Sequence, residues 1–407
     1  MKVLFICYYF PPIIATGCNR SLAFAQNLEK VSSYKPLILS VNNAKDPWIK
    51  VGTNTTNDFE IVRTEEWNLA AFVDVLQGIS SKIFSLFGKD LKINIFREFI
   101  TIPDTQIAWF KTIQGIELAK SSDIIYVSCS PFSSAVSSCF IKYFSKKPLV
   151  VDFRDAWTLN PHIKHSSFHN FIIKYLEKFV ISNCDALILN TEGALKLYCD
   201  EYPEHSKKFH YVANGYDSLT PVSKSKQPND TFNIMHIGSF YGNRSPDLLL
   251  TALSELKDKS IKFTQIGGSF DSYESFKDKV DIEVIEMLPR EKALELMQGA
   301  DLLYLKQGTE AGVKSHIAVA AKTYEYLATG LPVLAEVPEG DNAEIIEKYC
   351  ENYYLIKNDN LDEMKKLILQ AYQERKEPKI KEEFKETFSR VNLTKRLSEI
   401  FDNVSSK

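Results

Sequence analysis

One stretch constrains the fold of this chain more than any other: Lys322-Thr-Tyr-Glu325-Tyr-Leu-Ala-Thr-Gly330-Leu-Pro332-Val-Leu. It reads as a short helix that stops at a glycine and runs directly into an apolar strand. Tyr324, Leu327 and Ala328 recur at helical spacing and point to a core, which turns Glu325 to another side. Gly330 stands where a left-handed residue closes a helix, and Pro332 forbids further helix. A helix delivered into a buried strand belongs to an α/β layer, and such layers bind ligands at the C-terminal edge of their sheet. Helix N-termini at that edge favour phosphate, and Lys322 would add a point charge. Glu325, one turn on, could accept hydrogen bonds from a ribose diol. The same residues would serve equally as the wet face of an ordinary amphipathic helix.

Strand, glycine loop and helix follow one another at two further places. Residues 3–9 form a buried-type strand, followed by a Pro-rich loop with Gly17 and Arg20 and a helix over about residues 21–29. The pattern is not G-x-G-x-x-G, so a dinucleotide cofactor is not expected. Residues 232–237 repeat the unit, with Gly238, Ser239, Gly242 and Arg244 in the loop and a helix over residues 248–256. These glycines allow backbone approach to a phosphate, and Arg244 offers a two-pronged fork.

A chain of 407 residues is long enough for two domains with separate cores. Charged residues make up 25% and the net charge is -3, so the basic excess of a nucleic-acid binder is missing. The seven cysteines are scattered, with no C-x-x-C pair and no zinc spacing, and read as reduced thiols. The N-terminus reads as a strand rather than a signal peptide, and no run nears the roughly 20 apolar residues of a membrane span. A cytoplasmic protein is expected.

Residues 67–99 are unusual. Phe72, Leu76, Ile79, Ile83 and Phe87 fall at helical spacing, with Lys82, Lys89, Lys92 and Arg97 nearby. This is either a helix pair packed on its own domain or a surface that lies in a membrane interface. Lys147-Pro-Leu-Val-Val-Asp152-Phe-Arg154-Asp155-Ala-Trp157 is a strand whose end carries three charges, which belong at a ligand-binding edge more often than in a core. An Arg154–Asp salt bridge holding a loop is the alternative. His162, His165 and His169 lack further partners at metal-ligand spacing and read as a solvated face. Asn214-Gly215 is a turn, residues 218–231 a polar linker, and Glu339-Gly340-Asp341-Asn342 either a boundary of the pocket or, in the preferred reading, a surface turn.

Taken in order, these motifs resemble the GT-B glycosyltransferases, in particular the large retaining family 4. Glu325-x-Leu-Ala-x-Gly-x-Pro-Val is similar to that family's nucleotide-binding signature, and Asp152-Phe-Arg-Asp-x-Trp to a bacterial variant near its sugar and acceptor. Asn214-Gly-x-Asp217 resembles the end of its N-terminal domain. The loop from Gly238 resembles its Gly-Arg-x-x-x-x-Lys motif, with Arg244 on the Lys position and Ser239 in place of Arg. Ile317 stands where the first of two family glutamates is expected.

The resemblance implies an α/β protein of GT-B fold, two Rossmann-like doubly wound domains facing a central cleft. Residues 1–217 would form the acceptor-side domain, 218–231 the linker, 232–380 the nucleotide-sugar domain, and 381–407 a helix crossing back to the first. It implies metal-independent, retaining transfer of a hexosyl or N-acetylhexosaminyl group from a UDP- or GDP-linked donor, with no cofactor. The acceptor would be a hydroxyl of a glycan or lipid-linked molecule in bacterial surface-polysaccharide assembly (capsule or O-antigen), with nucleic acid no partner. Asp155 and Arg154 would face the reacting sugar, and Arg244 would stabilise the leaving diphosphate. Gly17, Gly238, Ser239, Arg244, Lys314, Lys322 and Glu325 would hold the donor. Arg20, Lys82 and Phe87 would lie on the acceptor or membrane side, at the inner face of the plasma membrane. A sugar-nucleotide 2-epimerase of the same fold and a non-catalytic nucleotide-binding subunit are the alternatives.

Overall fold

The computed structural model describes all residues except 15, 43–49, 52–58, 68, 70–100, 161–165, 218–230, 241–243, 259, 309–315 and 407. The chain forms two compact units, Met1–Ala213 together with Leu393–Lys407, and Asn214–Asn392. The linker, Lys82, Phe87, Lys314, His162 and His165 fall outside the described residues.

The first unit is built on β1 (Lys2–Cys7), β3 (Lys35–Val41), β5 (Glu60–Thr64), β6 (Ile124–Cys129), β7 (Leu149–Phe153), β8 (Ala186–Leu189) and β9 (Phe209–Tyr211). They make one parallel sheet in the order β5-β3-β1-β6-β7-β8-β9, while β2 (Ile13–Ile14) and β4 (Lys50–Val51) form a small antiparallel pair. Continuous apolar runs such as Val3-Leu-Phe-Ile suit strands covered on both faces, and these side chains are buried. The winding reverses between β1 and β6. Cys7 lies opposite Ser128, and Cys129 opposite Phe153, so the loops after β1, β6 and β7 leave one edge together. That edge is where a doubly wound sheet opens a crevice.

The last helix, Arg390–Ser405, joins the first unit from Leu393 onward. Phe401 packs edge-on to Tyr34 and Tyr126 at 5.6 and 6.0 Å, and the Tyr34 hydroxyl donates to Asp402 at 2.7 Å.

The second unit holds β10 (Phe232–Ile237), β11 (Ile261–Ile266), β12 (Asp281–Ile285), β13 (Leu302–Lys306), β14 (Val333–Glu336) and β15 (Tyr353–Ile356). Their order, β12-β11-β10-β13-β14-β15, again places the first strand in the middle, with the reversal between β10 and β13. Ile234, Phe263, Leu302, Tyr304 and Leu334 form its core with Leu249 and Leu253 of the Asp247–Leu256 helix and Ile368 of the Leu361–Glu374 helix. Gly330 takes φ +74, and an added Cβ would press on the Lys379 backbone at 2.9 Å, so both its conformation and its packing require glycine.

Three expectations are corrected. Residues 214–217 group with the second unit: Tyr216 stacks on Phe384 at 4.9 Å, and Arg390 donates to Asp217 at 2.5 Å and to the Asn214 carbonyl at 3.1 Å. Gly340, Asp341 and Asn342 are buried rather than a surface turn, because Asn342 ties Gln307 to Thr323 at 2.6 and 2.7 Å. His169 is buried too, on the packed face of its helix rather than a solvated one.

All seven cysteines are thiols, six of them buried. Among the described residues no helix is long and apolar enough to cross a membrane, and no group of three His, Cys, Asp or Glu could hold a metal ion.

Candidate functional site

The end of β10 is where the second unit gathers charge. Gly238 has φ +107 and donates its N–H to Ile266 at 2.6 Å, while Gly267 at φ +133 lies against it. A Cβ on Gly267 would sit 2.7 Å from the Gly238 carbonyl carbon, so the two glycines let adjacent strand ends touch. A Cβ on Gly238 would collide with the Lys322 ammonium. The lysine therefore lies flush against bare backbone.

Lys322 reaches that place from the Ala321–Leu327 helix, whose Tyr324, Tyr326 and Leu327 are buried. The Tyr326 hydroxyl accepts the Ile237 N–H at 2.9 Å and fixes the helix to β10. Lys322 Nζ is 3.2 Å from Nε2 of buried His236, whose Nδ1 is 2.8 Å from the Tyr304 carbonyl. A carbonyl only accepts, so Nδ1 carries the hydrogen and Nε2 accepts from the ammonium. Burial, then the charges of Lys322 and Arg244, push His236 well below its ordinary value of 6.5 and keep it neutral at pH 7. Burial and the Arg244 charge lower Lys322 to about 8. Lys322 thus rests on a neutral imidazole with Arg244 near enough to disfavour its charge and Glu325 partly offsetting that, an arrangement suited to a multiply charged anion.

Glu325 follows one turn along the helix. Its Oε1 accepts from Arg290 Nε at 2.9 Å and from Nη2 at 2.7 Å. The same Nη2 is 3.1 Å from Asp217 Oδ2, and Asp217 in turn pairs with Arg390. Glu325 is 24% exposed, enough to be reached by a ligand while its orientation is held. Ser239 donates to the Gly267 carbonyl at 3.2 Å, a turn contact that adds no positive charge where the family motif has Arg.

In the first unit, Gly17 and Arg154 come together. A Cβ on Gly17 would lie 2.5 to 2.8 Å from the guanidinium atoms of Arg154, so only glycine lets this cation lie over the first turn of the Thr16–Val31 helix. Arg154 also donates to the Cys129 carbonyl at 3.2 Å and the Ser130 hydroxyl at 3.3 Å. Asp155 beside it is exposed. Trp157 and Thr158 are held in place behind them: the Trp157 N–H donates to Tyr198 at 2.9 Å and the Thr158 N–H to buried Glu177 at 3.0 Å.

Arg20 does not reach an acceptor or membrane surface. It is 3% exposed, donates to Asp152 at 2.8 and 3.1 Å and to the Val212 carbonyl at 2.8 Å, and Tyr126 donates to the same carboxylate at 2.5 Å. Of the three charges at the end of β7, Asp152 is thus a core partner of Arg20 rather than a ligand-facing group. The neighbouring helix decides this, because it brings its own arginine to the fully buried Asp152.

Residues 231–374 match the sequence model of the family described as Glycosyl transferases group 1. The second unit is a group 1 glycosyltransferase domain. Sucrose-phosphate synthase from Thermosynechococcus elongatus superposes over 100% of this chain and 99% of its own with a TM-score of 0.68 at 10% identity. Anabaena HepE, solved in complex with UDP, covers 99% of this chain and 100% of its own at TM-score 0.65 and 14% identity. The lipopolysaccharide outer core galactosyltransferase WaaB covers 99% of both at TM-score 0.60 and 11% identity. At such identities the likeness establishes the fold, which is GT-B along the full chain. A search of curated protein sequences gave no match.

Within this glycosyltransferase domain, sequence reading missed His236 and Arg290. His236 stands inside an apolar strand, where a lone imidazole carries no spacing signal. Arg290 opens the Arg290–Met297 helix, 35 positions from Glu325, and only the fold brings them together.

Proposed function

We propose that the chain transfers a sugar, with retention and without a metal, from a UDP-linked donor to a hydroxyl of a glycan or lipid-linked acceptor. The observation that carries this is the Lys322 ammonium pressed against the bare backbone of Gly238, with Glu325 one turn further along the same helix. Lys322 and Arg244 would neutralise the leaving diphosphate, the kind of preorganised electrostatic stabilisation that usually contributes most to catalysis. Glu325, held by Arg290, would accept from the ribose hydroxyls. Gly238 and Ser239 would line the diphosphate, and Gly17, Arg154 and Asp155 would act on the sugar and acceptor.

A UDP donor is favoured because HepE was solved with UDP and with UDP-glucose. A role in cell-surface polysaccharide assembly is supported by the name of WaaB. The test is thermal stability of the full chain against UDP-, GDP-, CMP- and dTDP-sugars without added metal. A ligand at a hundred times its dissociation constant adds about 2.7 kcal/mol. One stabiliser whose effect is lost in Glu325→Ala supports the proposal. No shift with any of them would overturn it in favour of a non-catalytic role.

A further inference from the structure

Two neighbouring helices of the first unit, Phe132–Ser145 and Ser167–Asn183, carry aromatic residues on the outside. Phe171 is 74% exposed, Tyr175 70%, Tyr143 65% and Phe144 62%. Phe171, Tyr175 and Phe179 succeed one another at four-residue spacing and so share one face. Phe179 meets Phe140 of the other helix at 5.9 Å between centroids, and Tyr143 and Phe144 lie one turn beyond Phe140. The rings form one band across both helices, whereas monomeric proteins rarely leave so much contiguous apolar surface in water.

The charges around this band have one prevailing sign. The Ser167–Asn183 helix has a single acid, Glu177, and it is buried, so its exposed charges are Lys174 and Lys178. Lys146 lies 4.4 Å over the Tyr143 ring, and Lys147 follows it. Asp185 pairs with Lys142 and Glu201 with Lys174, while Lys146, Lys147 and Lys178 make no ion pair among the described residues. At the end of the band, Lys142, Tyr143, Lys146, Lys147 and Asp185 line an open cavity of about 490 Å³, where the Lys142–Asp185 pair leaves Lys146 and Lys147 as the surplus charge.

We infer that this aromatic band docks on an anionic lipid bilayer. The composition decides between occupants. The buried centre of a protein interface is depleted in lysine. A membrane interface accepts aromatic rings at headgroup depth, and each nearby lysine gains from anionic lipid. The lysine-lined cavity offers a place for a headgroup phosphate. This surface is built from residues other than 67–99 and does not depend on the donor chemistry of the second unit.

The test is flotation of the full chain with vesicles of phosphatidylcholine alone and with a third phosphatidylglycerol. The chain should float with the anionic vesicles and much less with the neutral ones. Raising salt should release it, because screening contracts from about 10 Å at 0.1 M to about 3 Å at 1 M. Phe171→Ser with Tyr175→Ser should weaken vesicle binding about tenfold, and Lys146→Glu with Lys147→Glu at least as much. Both pairs should leave the melting temperature and any donor-induced shift unchanged, since Phe171, Tyr175 and Lys146 are exposed and Lys147 is half-buried without an ion pair among the described residues. No binding to anionic vesicles overturns the inference, as does binding that ignores both variant pairs. A change of oligomeric state in the serine pair, with vesicle binding intact, overturns it in favour of a protein interface.

Discussion

Arg290 holds Glu325 through a single oxygen. Nε and Nη2 both donate to Oε1, at 2.9 and 2.7 Å, so the guanidinium engages one carboxylate oxygen and not the other. Two donations to one oxygen leave the second as the acceptor for a hydroxyl. Because Arg290 is 40% exposed, this pair contributes less than about 1 kcal/mol to stability. Its consequence lies in binding. Arg290→Ala should leave the melting temperature within about 3 °C of the parent while weakening donor binding about tenfold. In a Glu325→Ala background the same change should add little, giving a coupling of about 1 kcal/mol in calorimetric titration. Additive losses would mean that Arg290 acts elsewhere.

Lys322 should limit donor binding at high pH. Its value in the unliganded protein is about 8, against 10.5 ordinarily, and a bound diphosphate favours the charged form. Affinity should therefore be flat below pH 7 and fall by up to about tenfold per unit above pH 8. A flat profile to pH 10 would show that this ammonium does not meet the donor.

The same lysine sets a stability cost with a definite sign. Below about 8 the folded chain carries a buried ammonium, and between about 8 and 10.5 it binds fewer protons than the unfolded chain. Stability then gains with pH across that window, through this group, because the unfolded state must release the proton. At pH 7, Lys322→Met should accordingly stabilise the unliganded protein by about 1–3 kcal/mol while abolishing donor binding. Urea titration with and without donor reads both effects.

Two glycines should respond differently to alanine. At Gly17 the added methyl meets the far end of the Arg154 side chain, which can swing away, so Gly17→Ala should cost less than about 1 kcal/mol yet lower turnover by displacing that guanidinium. At Gly340 the φ of +132 is closed to alanine, and the methyl would strike the His316 backbone. Gly340→Ala should cost about 2–4 kcal/mol in chemical denaturation.

Glu177 supports the end of β7 from behind. It accepts from the Thr158 N–H and from the Tyr198 and Tyr202 hydroxyls at 3.0, 2.5 and 2.9 Å. Glu177→Gln removes the charge and one acceptor oxygen, so hydroxyls that now donate to Oε2 must turn to accept from an amide, and it should destabilise the chain by about 1–3 kcal/mol. A melting temperature unchanged within error would contradict this network.

The elements and their class were legible in local pattern. Apolar runs such as Val3-Leu-Phe-Ile demand strands buried on both faces, and Gly330 before Pro332 ends a helix wherever it stands, because these are local consequences of sterics and burial. Local spacing also placed Lys322 and Glu325 on one short helix, and Thr191 as the cap that accepts the Ala194 N–H at 3.1 Å. Which charges stay at the sheet edge and which are consumed inside depends on packing between distant segments. Asp152 and Arg154 are two residues apart, yet Asp152 is locked with Arg20 in the core while Arg154 lies over Gly17 at the sheet edge. Strand alternation allows either assignment, and only the neighbouring helix, with its own arginine, settles it. His236 beneath Lys322 and Arg290 beside Glu325 were likewise invisible in one dimension. Their partners are 86 and 35 positions away, and a pairing at such distance is written in the packing of strands and helices rather than in any local pattern.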